Sequence, residues 1–266
     1  MQRATGLVGL FLMVSCAFSP LAEAASTELK YDREAALARS QAARGEVLDS
    51  FTFRDSNGRS FDLSDQLGKP LVVSMIYTNC HNICPTITRT VQETVEIARE
   101  ALGHDSFAVV SVGFDWRIDT PERMQVYRRQ FGIDDPEWHF LSGDSASIKD
   151  LADNLGFQFY PSAMGFDHLS QTTVVDADGV IYRQIYGQKF DPPALVEPLK
   201  ELVFNTPRSE SIVGHWVDTF KLFCTVYDPN TGRYAFDYSI FMGVFVGVLC
   251  LGLIATFVAR EWKHAR

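Results

Sequence analysis

The sequence predicts an α/β domain, a central sheet with helices packed on it, and three observations carry that expectation. Residues 70–77 and 107–113 are continuous apolar runs of strand length, rich in valine, which suits strands buried on both faces. Each run leads into a segment of helical period. After the first, Ile87, Val91, Thr94, Val95, Ala98 and Leu102 recur on one stripe, with Arg89, Glu93, Glu96 and Glu100 mostly off it. Last, segments 172–175 and 180–185 flank Asp176-Ala177-Asp178-Gly179, a hairpin signal, and a helix follows them.

Taken in order, the chain opens with Arg3, an apolar run at 7–14 and Ala22-Glu23-Ala24, the three parts of a secretory signal cleaved after residue 24. A domain is expected over 25–204. Residues 28–44 have helical composition and end at Gly45, and segments 51–53 and 59–61 flank Asp55-Ser56-Asn57-Gly58 as a second hairpin. The strand at 70–77 then delivers Tyr77-Thr78-Asn79-Cys80-His81-Asn82-Ile83-Cys84-Pro85 to a helix mouth. Pro85 is expected at the first helical position, where a missing N–H costs nothing, and Gly103 as the cap at the far end. Helices are expected at 121–131, 145–155 and 192–204, the last capped by Asp191, and a short strand at 138–141. Residues 160–166 contain Pro161 and Gly165 and read as irregular. Two strand–helix–strand units followed by a hairpin and a helix define a thioredoxin-like arrangement.

Residues 205–237 read as a linker with Pro207, Gly214, Pro229 and Gly232. From Tyr238 to Ala259 no residue is charged, a run long enough at about 1.5 Å per residue to cross about 30 Å of hydrocarbon. Arg260, Lys263 and Arg266 follow in a short tail, 260–266, and positive charge marks the cytoplasmic side. Signal and tail therefore predict one topology: a domain outside, a single C-terminal transmembrane helix, and a C-terminus inside.

Composition narrows the function. With 24 basic and 33 acidic residues the formal charge of the 266-residue chain is -9, so nucleic acid is not an expected partner. Five cysteines (Cys16, Cys80, Cys84, Cys224 and Cys250) are too few for a disulfide scaffold. Cys80 and Cys84 are the chemical pair. Thiols at a helix N-terminus meet unpaired N–H groups and the positive end of the dipole, which favours thiolate, the form that binds soft metal or attacks a disulfide.

The chain resembles the Sco/SenC family, thioredoxin-fold copper proteins that assist assembly of the CuA centre of cytochrome c oxidase. The resemblance covers about residues 40–204. It rests on Thr78-x-Cys80-x-x-x-Cys84-Pro85 at a strand end, Asp167-His168 far downstream, Ser40-Gln41-Ala42-x-x-Gly45 early, and Asp115-x-x-x-Asp119-Thr120-Pro121 after the second strand. It implies that Cys80, Cys84 and His168 hold one copper ion. Two thiolates and one imidazole make a soft set suited to Cu(I) that still tolerates Cu(II). The implied partners are an oxidase subunit carrying CuA and a copper donor, with lipid around the C-terminal helix. The implied setting is a bacterial inner membrane with the domain in the periplasm. Departures from the family pattern are Trp116 between Asp115 and Asp119, His81 between the cysteines, and an anchor at the C-terminal rather than the N-terminal end. Cys224-x-x-Tyr227-Asp228-Pro229 resembles an extension of some bacterial relatives, with Cys224 as an auxiliary thiol. Met164 is expected to pack in its loop.

Four functions compete. Copper delivery needs both cysteines and His168. A thiol–disulfide reductase that keeps a partner's copper-site cysteines reduced uses Cys80 and Cys84 without His168. A peroxidase rests on fold alone, and a sensor needs a partner that the sequence does not reveal. Copper delivery is the expectation, with dithiol chemistry second.

Overall fold

The computed structural model describes residues 31–80, 83–163, 165–205, 225–228, 231, 233–236 and 239–264. The expected signal segment, His81, Met164 and Cys224 lie outside the described residues.

The first helix, α1 (Arg33–Ala42), is capped by Asp32, whose side chain accepts from the backbone N–H groups of Glu34 and Ala35. Strands β1 (Thr52–Asp55) and β2 (Ser60–Asp62) form the expected hairpin, and Asp55 organises its turn by accepting from the backbone of Asn57 and Arg59. A single 3-10 turn, Leu63–Gln66, leads to β3 (Leu71–Ile76), every residue of which is buried. The remaining core elements are α2 (Ile83–Leu102), β4 (Ala108–Gly113), α3 (Pro121–Phe131), β5 (Trp138–Ser142) and α4 (Ser145–Asn154). After them come β6 (Phe159–Ser162), β7 (Gly165–His168), β8 (Gln171–Val175), β9 (Ile181–Tyr186) and α5 (Pro193–Asn205).

The main sheet runs β2-β1-β5-β4-β3-β8-β9. Its centre is parallel, β3 on β4 from Leu71↔Ala108 to Ile76↔Gly113 and β4 on β5, while β8 returns antiparallel along the other side of β3. Alternation along β3 splits the core in two. Leu71, Val73, Met75 and the following Tyr77 enter one cluster with Ile148, Leu151 and Leu155. Val72 and Ile76 enter the other, against Ile87, Val91, Val95 and Ala98 of α2, Met124 and Tyr127 of α3, and Leu195, Val196 and Leu199 of α5. Helices thus cover both faces of a sheet whose middle strands are parallel, which is why β3 and β4 read as unbroken apolar runs.

Four expectations are corrected. Helix α2 starts at Ile83, so Pro85 is its third residue and Cys84 is already helical. The first four helical N–H groups have no intrahelical acceptor, so proline is tolerated there too. Residues 160–166 are not irregular: they belong to the β6–β7 hairpin, which pairs Phe159↔His168, Tyr160↔Asp167 and Pro161↔Phe166. This ribbon has only two strands, so Pro161 lies on an edge where a missing N–H is acceptable, and its aromatic residues favour a pleated surface. The linker 205–237 contains a further hairpin, β10 (Thr225–Asp228) and β11 (Arg233–Phe236). It rests on the domain, with the Tyr234 hydroxyl donating to Glu197 Oε1 at 2.8 Å.

The fourth concerns the expected anchor. Helix α6 (Ser239–His264) occupies that stretch and its apolar side chains over 242–256 are exposed. Among the described residues, however, no helix is long and apolar enough to cross a membrane. The membrane-spanning half of the expectation is therefore not supported by the structure.

Candidate functional site

The site is built where β3 ends. Three residues after it, the chain reaches Asn79 and Cys80, and Cys80 N–H closes a turn on the Tyr77 carbonyl at 3.2 Å. The turn is held from one side by Asp119, 1% exposed at the mouth of α3. Its Oδ1 accepts from Thr78 N–H (2.8 Å) and Thr78 Oγ1–H (2.7 Å), and its Oδ2 accepts from Asp115 N–H (2.9 Å). Arg123 Nε donates to Thr78 Oγ1 at 3.3 Å, so the hydroxyl relays between a guanidinium and a carboxylate. Burial pushes the Asp119 carboxyl above its usual range despite these donors. Only a glycine at the end of β4 permits this approach, since a Cβ on Gly113 would lie 2.5 Å from Asp119 Cβ. Asp119, the second aspartate of the Asp115-x-x-x-Asp119 motif, thus positions the cysteine turn.

The two cysteines are unlike each other. Cys80 is partly exposed on the turn, whereas Cys84 is fully buried in the first turn of α2. Both are free thiols. Cys84 N–H donates to Cys80 Sγ at 3.3 Å, as the open end of a helix should. Interaction with the Cys80 side chain first, and burial second, push the Cys84 thiol far above its usual range. Cys84 therefore keeps its proton and Cys80 is the sulfur that accepts from the backbone donor.

His168 ends β7 and reaches the same neighbourhood through aromatic packing. Its ring lies 5.3 Å from Phe114, 5.3 Å from Phe157 and 6.2 Å from Tyr77, centroid to centroid. His168 Nδ1 is 3.1 Å from the Leu169 carbonyl oxygen. A carbonyl only accepts, so the Nδ1 proton is committed to it and Nε2 keeps the lone pair that a metal needs. Burial pushes the His168 pKa below its usual value. Yet among the described residues no group of three or more His, Cys, Asp or Glu side chains is gathered closely enough to hold a metal ion. The structure brings the two sulfurs together and places the imidazole beside Tyr77, without closing the three into one cluster.

Because His168 is neutral in the folded chain over a range where the unfolded chain binds a proton, the unfolded state binds more protons below about pH 6.5. Stability should therefore fall as the pH drops from there towards the folded-state pKa, by up to ~1.4 kcal/mol per pH unit for this group. His139, half-buried and lowered by burial, acts in the same direction. Urea unfolding at pH 7.5, 6.5 and 5.5 should show that loss, and His168→Gln should reduce the slope.

Tyr77 and the ring set Phe114, Phe157, Phe159 and Phe166 were not singled out from the sequence. A tyrosine closing an otherwise apolar strand, directly before the cysteine motif, was the available signal. Trp116, the departure from the family pattern, forms an outer rim: it lies 6.4 Å from Phe159, with Lys149 Nζ 5.0 Å from its ring.

A mixed sheet with a dithiol turn at the carboxyl end of a central parallel strand, opening onto a helix, defines a thioredoxin-like dithiol protein. The chain belongs to the SCO1/SenC family, whose model matches residues 39–203. A SCO2-like protein of Rickettsia typhi is 26% identical over 148 residues, covering 53% of this chain and 70% of the relative. Among solved structures, a protein of Aquifex aeolicus is 26% identical with a TM-score of 0.55, covering 64% of this chain and 99% of its own. Bradyrhizobium japonicum ScoI, solved with copper bound, is 25% identical with a TM-score of 0.50, covering 59% of this chain and 99% of its own.

Proposed function

We propose that the chain receives one copper ion through Cys80, Cys84 and His168 and hands it to the CuA centre of cytochrome c oxidase during assembly. The observation that carries this reading is the donor on the Cys80 sulfur together with a half-buried, neutral imidazole packed on Tyr77, whose Nδ1 is already committed. Two sulfurs and one neutral imidazole are ligands that suit Cu(I). Similarity to a relative with copper bound supports the same cargo. A ligand set that is not closed in the metal-free chain suits a protein that must release what it binds.

The test is anaerobic copper titration of the full chain against a competing Cu(I) chelator. One copper per chain is expected for the native sequence. Loss of a ligand should cost at least as much as loss of an outer-shell partner, so His168→Ala should weaken Cu(I) binding by about tenfold or more. Unchanged affinity in that variant would remove His168 from the set.

A second reading is favoured by the asymmetry of the thiols. A partly exposed Cys80 backed by a buried Cys84 is also the layout of a dithiol reductase, which would keep the oxidase copper-site cysteines reduced. A His168→Ala chain that reduces a partner disulfide at the native rate while binding no copper would favour it.

For location, Arg3, the apolar run 7–14 and Ala22-Glu23-Ala24 support export of the domain to the periplasm. Protease added to intact spheroplasts should then degrade the domain.

A further inference from the structure

Beside the dithiol turn stands a tryptophan that carries two cations. Trp116 follows Asp115, whose N–H is held by the same Asp119 carboxylate that holds Thr78, so its place is fixed relative to the Cys80 turn. Trp116 and Cys80 pack on one core cluster, together with Phe159 and Phe166 of the histidine-bearing ribbon. Lys149 Nζ lies 5.0 Å from the centre of the Trp116 ring, and the Arg117 guanidinium carbon lies 5.6 Å from it. Both cations are exposed, and among the described residues neither is in an ion pair. An open hollow of about 320 Å³ is lined by Trp116, Lys149, Phe157, Phe159, Tyr160 and Phe166. Asp153, the acid of that hollow, is already taken by Arg39 at 3.3 Å.

We propose that this face docks an extended acidic segment of a partner protein, which seats an apolar side chain in the hollow and lays carboxylates on Lys149 and Arg117. Charge complementarity decides the occupant. A cation held over an indole keeps its outward N–H donors for a carboxylate, and tryptophan and arginine are the side chains that most often dominate an interface. The whole chain has a formal charge of -9, so two unpaired cations on one ring offer an acidic partner a landing point that the overall charge does not. A basic segment would meet like charge there, and a purely apolar one would cover both cations without pairing them. Docking on Trp116 brings the partner beside Cys80, the partly exposed sulfur. The inference gives the partner a chemistry, and it rests on the site acting on a protein, by copper transfer or by dithiol exchange alike.

The test titrates three peptides into the full, reduced, metal-free chain and follows the backbone amides of Trp116 and Lys149 by NMR. The peptides are acetyl-Asp-Glu-Phe-Glu-Asp-amide, its counterpart with Asn and Gln for the acids, and its counterpart with Lys for the acids. The acidic peptide should bind about fivefold more tightly than the Asn/Gln peptide, as two exposed ion pairs allow, and the Lys peptide most weakly. Salt at about 0.5 M should erase that preference. Lys149→Glu, a surface change, should remove it too, and Trp116→Ala should weaken every peptide about fivefold or more. Equal affinity for the acidic and Lys peptides overturns the charge match. No response to about 10 mM acidic peptide, or unchanged affinity in Trp116→Ala, overturns the face. Copper is absent throughout, so failed docking leaves the copper reading standing. A chain that docks the acidic peptide and takes up no copper overturns that reading alone.

Discussion

Replacing Asp119 with alanine should lower the unfolding free energy by about 3 kcal/mol, the largest loss expected from a single polar side chain near the site. The figure follows from three hydrogen bonds, to Thr78 N–H, Thr78 Oγ1–H and Asp115 N–H, at about 1 kcal/mol each. Two of those donors belong to the backbone and would be left facing a protein interior. The same change should loosen the Cys80 turn, because Thr78 would lose the carboxylate that holds its N–H and hydroxyl. Asp119→Asn, which keeps the shape but replaces one oxygen by a donor, should fall between the two. Chemical denaturation of the three chains measures the effect. An Asp119→Ala chain within ~0.5 kcal/mol of native would mean that the turn holds itself.

Brief alkylation of the reduced, metal-free chain should modify Cys80 about a hundredfold faster than Cys84, or more. Only the thiolate attacks, and only an accessible sulfur can be attacked. Cys80 is partly exposed and accepts from Cys84 N–H, while Cys84 is wholly buried with its pKa driven up by Cys80 and by burial. Cys84 can react only when the first turn of α2 opens, and Val91, Val95 and Ala98 farther along the helix hold it in the core. Peptide mapping separates these two labels from that on the exposed Cys250. Equal rates at Cys80 and Cys84 would show that the two sulfurs exchange roles freely.

Much of this was legible in the residues alone, for reasons that differ by element. Strands β3 and β4 announce themselves because burial on both faces leaves no room for polar alternation. The helices at 121–131 and 145–154 are bracketed by Thr120-Pro121 and by Asp144, side chains whose capping chemistry is local. The β6–β7 hairpin was not legible, because Pro161 and Gly165 carry the same local signal in a loop as in an edge ribbon. What decides between them is the packing of Phe159 and Phe166 on Phe114, a contact across 40 and more residues. The extension of α2 back to Ile83 was hidden similarly, since a proline is as acceptable at the third helical position as at the first. Within the site, spacing and type singled out Cys80, Cys84 and His168. The packing of Tyr77 and the role of Asp119 depend on which strands lie side by side, and no short-range pattern reports that.

The sheet also closes itself against its own kind. One border is β2, only three residues long, too short to template another strand. The other is β9, and there the segment after α1 lies across its start: Gly45 N–H donates to the Ile181 carbonyl at 2.9 Å, and Ile181 N–H donates to the Glu46 carbonyl at 2.9 Å. The main chain at the start of that border is thereby already paired. A domain so rich in valine and phenylalanine strands should therefore resist edge-to-edge aggregation at high concentration, so long as those two borders stay shut.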